Sequence, residues 1–201
     1  MTLPLRWRTM GLIALGVAAL FLTACSGSDR YGKASPRVVQ PGEPVPKGGG
    51  RYKVGAAYQI DGQWFTPREQ PDYDEVGQGS FYSEDFHGRR TANGEIFDMH
   101  ALTAAHPTLP MPSYAYVTNL ENGRTVLVRI NDRGPYAKNR IIDLSKMTAR
   151  MLGYERQGVS RVRVRYAGPA PLSGDDRHER RFLASQSWYR SFGPAMSLGG
   201  F

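Results

Sequence analysis

The chain has one cysteine and four histidines in 201 residues. A lone thiol makes no internal disulfide and supplies no cysteine-based zinc site. His87, His100, His106 and His178 show no His-x-x-x-His spacing, and the acids show no calcium-loop spacing. No metal and no cofactor are therefore expected. Long apolar runs are also missing. The stretch Gly11 to Leu22 is about 12 residues, short of the ~20 needed to cross a bilayer, so a multi-span membrane protein is excluded. Acidic side chains are the scarcer sign, 18 against 26 Lys plus Arg, for a formal charge of +8. What remains is a chain with 40% hydrophobic residues, 23 Gly and 14 Pro. That composition suits one turn-rich β core with unstructured flanks, and the length suits one domain plus appendages.

Residues 1–24 read as a secretory signal. Arg6 and Arg8 form the positive start, the apolar stretch follows, and Leu22-Thr23-Ala24-Cys25 closes it. That tetrapeptide resembles the bacterial lipobox, in which cleavage leaves a lipid-modified N-terminal cysteine. Cys25 is thus the expected lipidation site, and several acyl chains would give stable anchoring at about 0.8 kcal/mol per buried methylene. Ser26, rather than Asp, follows Cys25, a pattern that resembles outer-membrane sorting in Gram-negative bacteria. The expected location is the cell envelope, lipid-anchored in the outer membrane and facing the periplasm. Secretion makes nucleic acid an unexpected partner despite the basic charge. An anionic wall polymer or membrane surface suits that charge better.

Residues 25–50, rich in Gly, Pro, Ser and Lys, read as a flexible tether. Residues 51–76 carry aromatic and β-branched side chains and read as an ordered extension. Residues 77–168 read as the folded core. Tyr114–Leu120 and Thr125–Ile130 are β-rich, and Asn122-Gly123 between them signals a type I′ hairpin. Val162, Val164 and Tyr166 alternate with Arg161, Arg163 and Arg165, as in a half-buried strand. A short helix is expected over Ser145–Leu152, with Asp143 or Ser145 as its cap and Gly153 as its stop. Residues 169–201 read as a Pro/Gly-rich tail. Short strands, tight turns and one short helix predict a mostly β, small barrel.

Three stretches are candidates for chemistry: Phe86 to Glu95, Leu102 to Pro107, and Val128 to Pro135. Carboxylates beside glycines at strand ends are well placed to face a groove. At these stretches the chain resembles the rare lipoprotein A family of bacterial cell-wall proteins. The resemblance is carried by Gly79-Ser80-Phe81-Tyr82, Phe86-His87-Gly88, Thr91-Ala92-Asn93-Gly94-Glu95, Leu102-Thr103-Ala104-Ala105-His106, Val117-Thr118-Asn119-Leu120, Asn131-Asp132-Arg133-Gly134-Pro135 and Ile142-Asp143-Leu144-Ser145.

The resemblance implies a six-stranded double-psi β-barrel and a lytic transglycosylase. Such an enzyme cuts peptidoglycan glycan strands between N-acetylmuramic acid (MurNAc) and N-acetylglucosamine (GlcNAc), leaves 1,6-anhydromuramyl ends, and favours strands stripped of stem peptides. It implies catalytic roles for Glu95, His106 and Asp132. Glycoside cleavage needs a proton for the leaving oxygen and stabilisation of an oxocarbenium-like sugar. Asp132 is the expected general acid, Glu95 the base or electrostatic partner across the groove, and His106 a hydrogen-bonding support to a carboxylate or the substrate; sequence alone leaves the acid and base roles within the Asp132–Glu95 pair open. Tyr82, Asn93, Asn131 and Arg133 are expected sugar contacts. Asp143 is read as a helix cap rather than a catalyst.

The chain departs from the family in Phe81-Tyr82, where many relatives have Trp-Tyr, and in Ser83, where Gly is common. A separate C-terminal glycan-binding domain of the kind many relatives append is not expected after residue 168. The competing readings are a non-catalytic peptidoglycan-binding lipoprotein on the same barrel, and an envelope or division scaffold that uses the tail. A monomer is expected.

Overall fold

A computed structural model describes residues 34–191. The secretory leader, Cys25, the first part of the expected tether and residues 192–201 lie outside the described residues.

Two short strands, β1 (Tyr58–Ile60) and β2 (Gln63–Phe65), form an antiparallel hairpin. Six more close a barrel: β3 (Asp74–Phe81), β4 (Thr103–Ala105), β5 (Ser113–Asn119), β6 (Thr125–Asp132), β7 (Arg140–Leu144) and β8 (Ser160–Pro169). Their order around the barrel is β3-β7-β4-β6-β5-β8. Two pairs are parallel, β3 with β7 and β4 with β6, and the other four are antiparallel. The fold is the expected double-psi β-barrel. Closure removes the unpaired edges that a short sheet would expose.

Local sequence explains each element. In β8 the valines at 162 and 164 are buried and the arginines at 161, 163 and 165 are exposed, the period of two that the sequence carries. The valines join Val117, Val126, Val128, Ile130, Ile142 and Leu144 in the core. Helix α1 (Lys146–Leu152) is capped by Ser145, whose hydroxyl accepts from the Thr148 amide at 3.1 Å, and it ends at Gly153 in the left-handed region, φ 84°. Asp143 is therefore not the cap. It lies inside β7. The β5–β6 turn also differs from expectation. Gly123 has φ 73°, but Asn122 keeps a negative φ, so the turn is not type I′. The Gly123 amide bonds the Asn119 carbonyl instead, in a longer loop.

The flanks differ most from the sequence reading. Residues 34–50, expected to be a flexible tether, lie on the barrel. The Val38 and Val39 amides both donate to the Gly88 carbonyl, at 2.8 and 3.1 Å, and Val39 is buried. Backbone hydrogen bonds and polar side chains hold this segment, Arg37 donating to the Asp85 carbonyl at 3.0 Å and Lys47 pairing with Asp176 at 2.7 Å, so it needs no apolar periodicity. Gly88 is required here, because a Cβ would stand 2.0 Å from the Val39 carbonyl oxygen. Strand β3 begins at Asp74, three residues before the expected boundary. After Pro169 the chain forms α2 (Arg177–Ser185) and α3 (Ser187–Arg190) rather than a Pro/Gly-rich tail, so the fold has more than one helix. Helix α2 buries only Glu179 and Leu183, four residues apart on one face, while three of its other seven residues are arginines. Rings complete the contact, with Tyr114 edge-on to His178 and Tyr116 against Phe182.

Candidate active site

Asp132 ends β6 at a register shift. Ala104 pairs with Ile130, but Ala105 pairs with Asp132, so Asn131 is an extra residue in the strand. Such a bulge re-aims the next side chain. It sets Asp132 opposite Ala105, and on the other side of β4 the partner of Ala105 is Asp143. The two aspartates therefore flank one alanine, two strand spacings apart, roughly 10 Å between backbones.

Both aspartates border one cavity of about 580 Å³, whose walls include Phe81, Tyr82, Phe97, Arg133 and Tyr136. Asp132 Oδ1 accepts the amides of Ala92 and Arg133, each at 2.8 Å, and Oδ2 accepts the Tyr82 hydroxyl at 3.1 Å. Burial pushes the Asp132 carboxyl above its usual range, and these three donors oppose the push. Tyr82 packs on Phe97 with ring centres 4.9 Å apart. Burial and the Asp132 charge hold its phenol well above the usual value, so it stays protonated and donates. Asp143 is supported differently. One oxygen lies 3.3 Å from Arg140, and the other is buried with no partner. Burial raises this carboxyl to about 6, against a smaller lowering by Arg140.

Glu95 lies elsewhere. It is 5% exposed and borders a second cavity of about 560 Å³, walled by residues 42–48 and by α2. Arg129 makes three hydrogen bonds to it, at 3.2, 3.0 and 2.6 Å. Asn131 and Asn93 each add one at 3.0 Å. Burial alone would raise the Glu95 carboxyl, but these donors more than offset it and leave the group below the ordinary glutamate value.

The residues that build the Asp132 cavity fall in a region with known relatives. The lytic transglycolase family model matches residues 74–164. A Rickettsia bellii protein named endolytic peptidoglycan transglycosylase RlpA is 39% identical over 164 residues, which cover 77% of this chain and 71% of that one. The chain belongs to the RlpA family. Proteins of the same name from Neisseria meningitidis (serogroup A) and Pseudomonas aeruginosa (strain UCBPP-PA14) are 43% and 49% identical over 149 and 113 residues. Those matches cover 74% and 56% of this chain, but only 60% and 33% of the relatives. The chain thus spans less than two thirds of the Neisseria protein and about a third of the Pseudomonas one.

Against the RlpA-derived expectations, the structure divides the site residues into two groups. Tyr82, Asp132 and Arg133 border one cavity. Asn131 borders the other with Glu95, and Asn93 bonds Glu95 from behind it. Glu95 does not face Asp132 across one groove. The Thr91–Glu95 loop touches both acids, its Ala92 amide on Asp132 and its end on Arg129, and the cavities lie on its two sides. The Arg133 guanidinium also acts as a strut, donating to the carbonyls of Val54, His106 and Leu109. His106 is 1% exposed, and its Nδ1 accepts the amides of Thr108 and Leu109 at 3.2 and 3.0 Å. Its ring stands edge-on to Tyr73, with centres 4.7 Å apart. Burial and the nearby Arg133 hold its pKa down to about 3, so it is neutral. Cys25 lies outside the described residues.

The sequence reading missed Asp143 as a cavity residue. A usable signal was present. Asp143 lies within an apolar run, Ile141-Ile142-Asp143-Leu144, where a charge is costly unless a site requires it.

Proposed function

We propose that this protein is an endolytic peptidoglycan lytic transglycosylase acting on MurNAc–GlcNAc bonds of peptide-poor glycan strands. The observation that carries the reading is the cavity itself: an aspartate held by three donors, a second aspartate on the same surface, and aromatic walls of the kind that stack on sugar rings. The names of its RlpA relatives support the same chemistry. Reaction requires a proton for the leaving oxygen, negative charge near the sugar C1, and attack by the sugar's own 6-hydroxyl. A cavity bearing two carboxyls can meet those needs without a cofactor. Purified sacculi, intact and stripped of stem peptides, incubated with the protein should release fragments with 1,6-anhydromuramyl ends, read by mass spectrometry. Asp132→Asn should abolish that release. Release at the wild-type rate from this variant would remove the cavity from the mechanism.

One observation favours a second reading, a glycan-binding lipoprotein without catalysis. Glu95 is locked to Arg129 beneath residues 42–50 and offers nothing to a saccharide in this arrangement. Sacculus pull-down with no anhydro ends would decide for that reading. The same proposal places the protein on the outer membrane, anchored through Cys25 and facing the periplasm as a monomer. Division or envelope proteins are proposed partners. Labelled palmitate incorporated by the wild type and lost in Cys25→Ser tests the anchor.

A further inference from the structure

The Asp132 cavity is lined by four guanidiniums, those of Arg89, Arg90, Arg133 and Arg140, against two carboxyls, Asp132 and Asp143. The fold occupies two of the four. Arg133 is the strut to the carbonyls of Val54, His106 and Leu109, and Arg89 donates to those of Ser35 and Asp85. The other two keep donors to spare. Arg90 is exposed and donates one N–H to the Gly94 carbonyl at 3.2 Å. Arg140 has 29% of its side chain exposed, one nitrogen 3.3 Å from Asp143, and its Nε buried without a partner. Among the described residues, that contact is the only ion pair made by any of the four. A guanidinium has five N–H donors and keeps its charge at every working pH. Carbonyls satisfy its donors but leave the charge uncancelled. The lining therefore favours an anion, and a carboxylate matches the planar fork of an arginine.

Resting on the transglycosylase reading above, we propose that Arg140, joined by Arg90 at the rim, binds the 3-O-lactyl carboxylate of MurNAc. In a strand stripped of stem peptides every MurNAc carries that carboxylate free, and GlcNAc carries no charge. The group hangs from C3, two ring carbons from C1, so it enters the cavity with the sugar whose bond breaks. In an intact strand the same carboxyl is an amide to the stem peptide. It is then neutral, and it brings a chain that the cavity would have to admit. The charge of the lining thus supplies a physical reason for action on peptide-poor strands. It also supplies a direction. A GlcNAc in the same place offers no anion, so binding through Arg140 selects the bond on the MurNAc C1 side of each disaccharide.

The test compares three substrates: peptide-stripped strands, the same strands with their lactyl carboxyls converted to methylamides, and intact strands, whose carboxylates lie on the peptides. Fluorescence anisotropy of end-labelled strands reads binding, and anhydromuramyl ends read cleavage. Wild type should bind the stripped strands about ten- to a hundredfold more tightly than either of the others, the usual effect of hydrogen bonds to a charged group. The difference should appear in KM rather than kcat and should shrink as salt is added. In Arg140→Gln the preference over methylamide strands should fall to within about twofold, and Arg140→Lys should keep part of it. If Arg140→Gln does not fold, Arg90→Gln, at an exposed position, should still lower the preference severalfold. Equal binding of stripped and methylamide strands by wild type, or an undiminished preference in both glutamine variants, overturns the assignment. Intact strands bound as tightly as stripped ones would place the recognised carboxylate on the peptide and overturn it as well. A wild type that prefers stripped strands but releases no anhydro ends supports the carboxylate site and overturns the transglycosylase reading alone.

Discussion

Arg129 clamps Glu95 through three hydrogen bonds, and both side chains are nearly fully buried. Arg129 keeps one further nitrogen buried without a partner, so Glu95 is the counter-charge that makes its burial tolerable. Removing one member of a buried pair typically costs about 3–5 kcal/mol, because the other charge is left alone. Glu95→Gln should therefore destabilise the barrel by roughly that amount in urea unfolding. Joint replacement with Arg129→Met should recover much of the loss. Wild-type stability in the single variant would mean that the pair is open to solvent.

The sign of the acid dependence follows from the same pair. The folded-state pKa of Glu95 is depressed, so its contribution is present above the unfolded value of about 4.3 and is lost as pH falls through the folded value. The midpoint urea concentration of wild type should drop below about pH 4, and Glu95→Gln should flatten that drop.

His106 invites a catalytic role by its motif, but its geometry gives it a structural one. Its Nδ1 holds two amides, and its pKa of about 3 keeps it neutral throughout the physiological range. His106→Ala should leave both amides unpaired, at about 1–3 kcal/mol each. The melting temperature should fall, while the pH–rate profile of the surviving enzyme should not move between about pH 5 and 8. A lost ionisation in that window would restore His106 to the chemistry.

Glu179 runs the other way from Glu95. It is 1% exposed on α2, facing Tyr114, Arg129 and Asp176, and burial raises its carboxyl to about 7. The folded chain then keeps a proton that the unfolded chain releases near pH 4.3, so stability falls as pH rises from there through about 7. Glu179→Gln should match wild type near pH 4 and exceed it at about pH 8, by something on the order of 3 kcal/mol. Urea titrations at the two pH values read this directly. Equal stability of the two proteins at both pH values would mean that Glu179 does not hold its proton in the folded chain.

The parts of this fold that were legible in the sequence are those whose signal is local. The Val–Arg alternation of β8 and the Ser145–Gly153 frame of α1 are written in adjacent residues. The bulge at Asn131 is not, because an inserted residue in a strand looks like any other strand residue until its partner is known. That one residue decides which way Asp132 points and pairs it with Asp143 rather than with Glu95. Helix α2 was hidden for a related reason. It buries only Glu179 and Leu183, and His178 and Phe182 add ring contacts with Tyr114 and Tyr116 of β5, so its sequence shows little apolar periodicity. Residues 34–50 are held by two backbone amides and by scattered polar contacts of Ser35, Arg37 and Lys47, which follow no period along the sequence.

Gly50 lies where that segment meets the buried network. A Cβ there would come within 2.8 Å of both the Asn93 side-chain nitrogen and Glu95 Cγ. Neither neighbour is free to move, since Asn93 and Glu95 bond each other and Glu95 is held by Arg129. The chain on either side is lightly tied, by the Lys47–Asp176 ion pair at 2.7 Å and by the Arg51 amide on the Asn93 carbonyl at 2.9 Å. Gly50→Ala should therefore displace the segment rather than the network. Trypsin should then cut after Lys47 and Arg51 several times faster than in wild type, with the barrel itself still resistant, because local openings govern such cleavage. If the variant lifts the segment, Glu95 and Arg129 should gain solvent contact, read as a salt-sensitive loss of stability that wild type does not show. Unchanged cleavage would mean that the segment already leaves Glu95 freely in wild type, and that the covered state is only one of its positions.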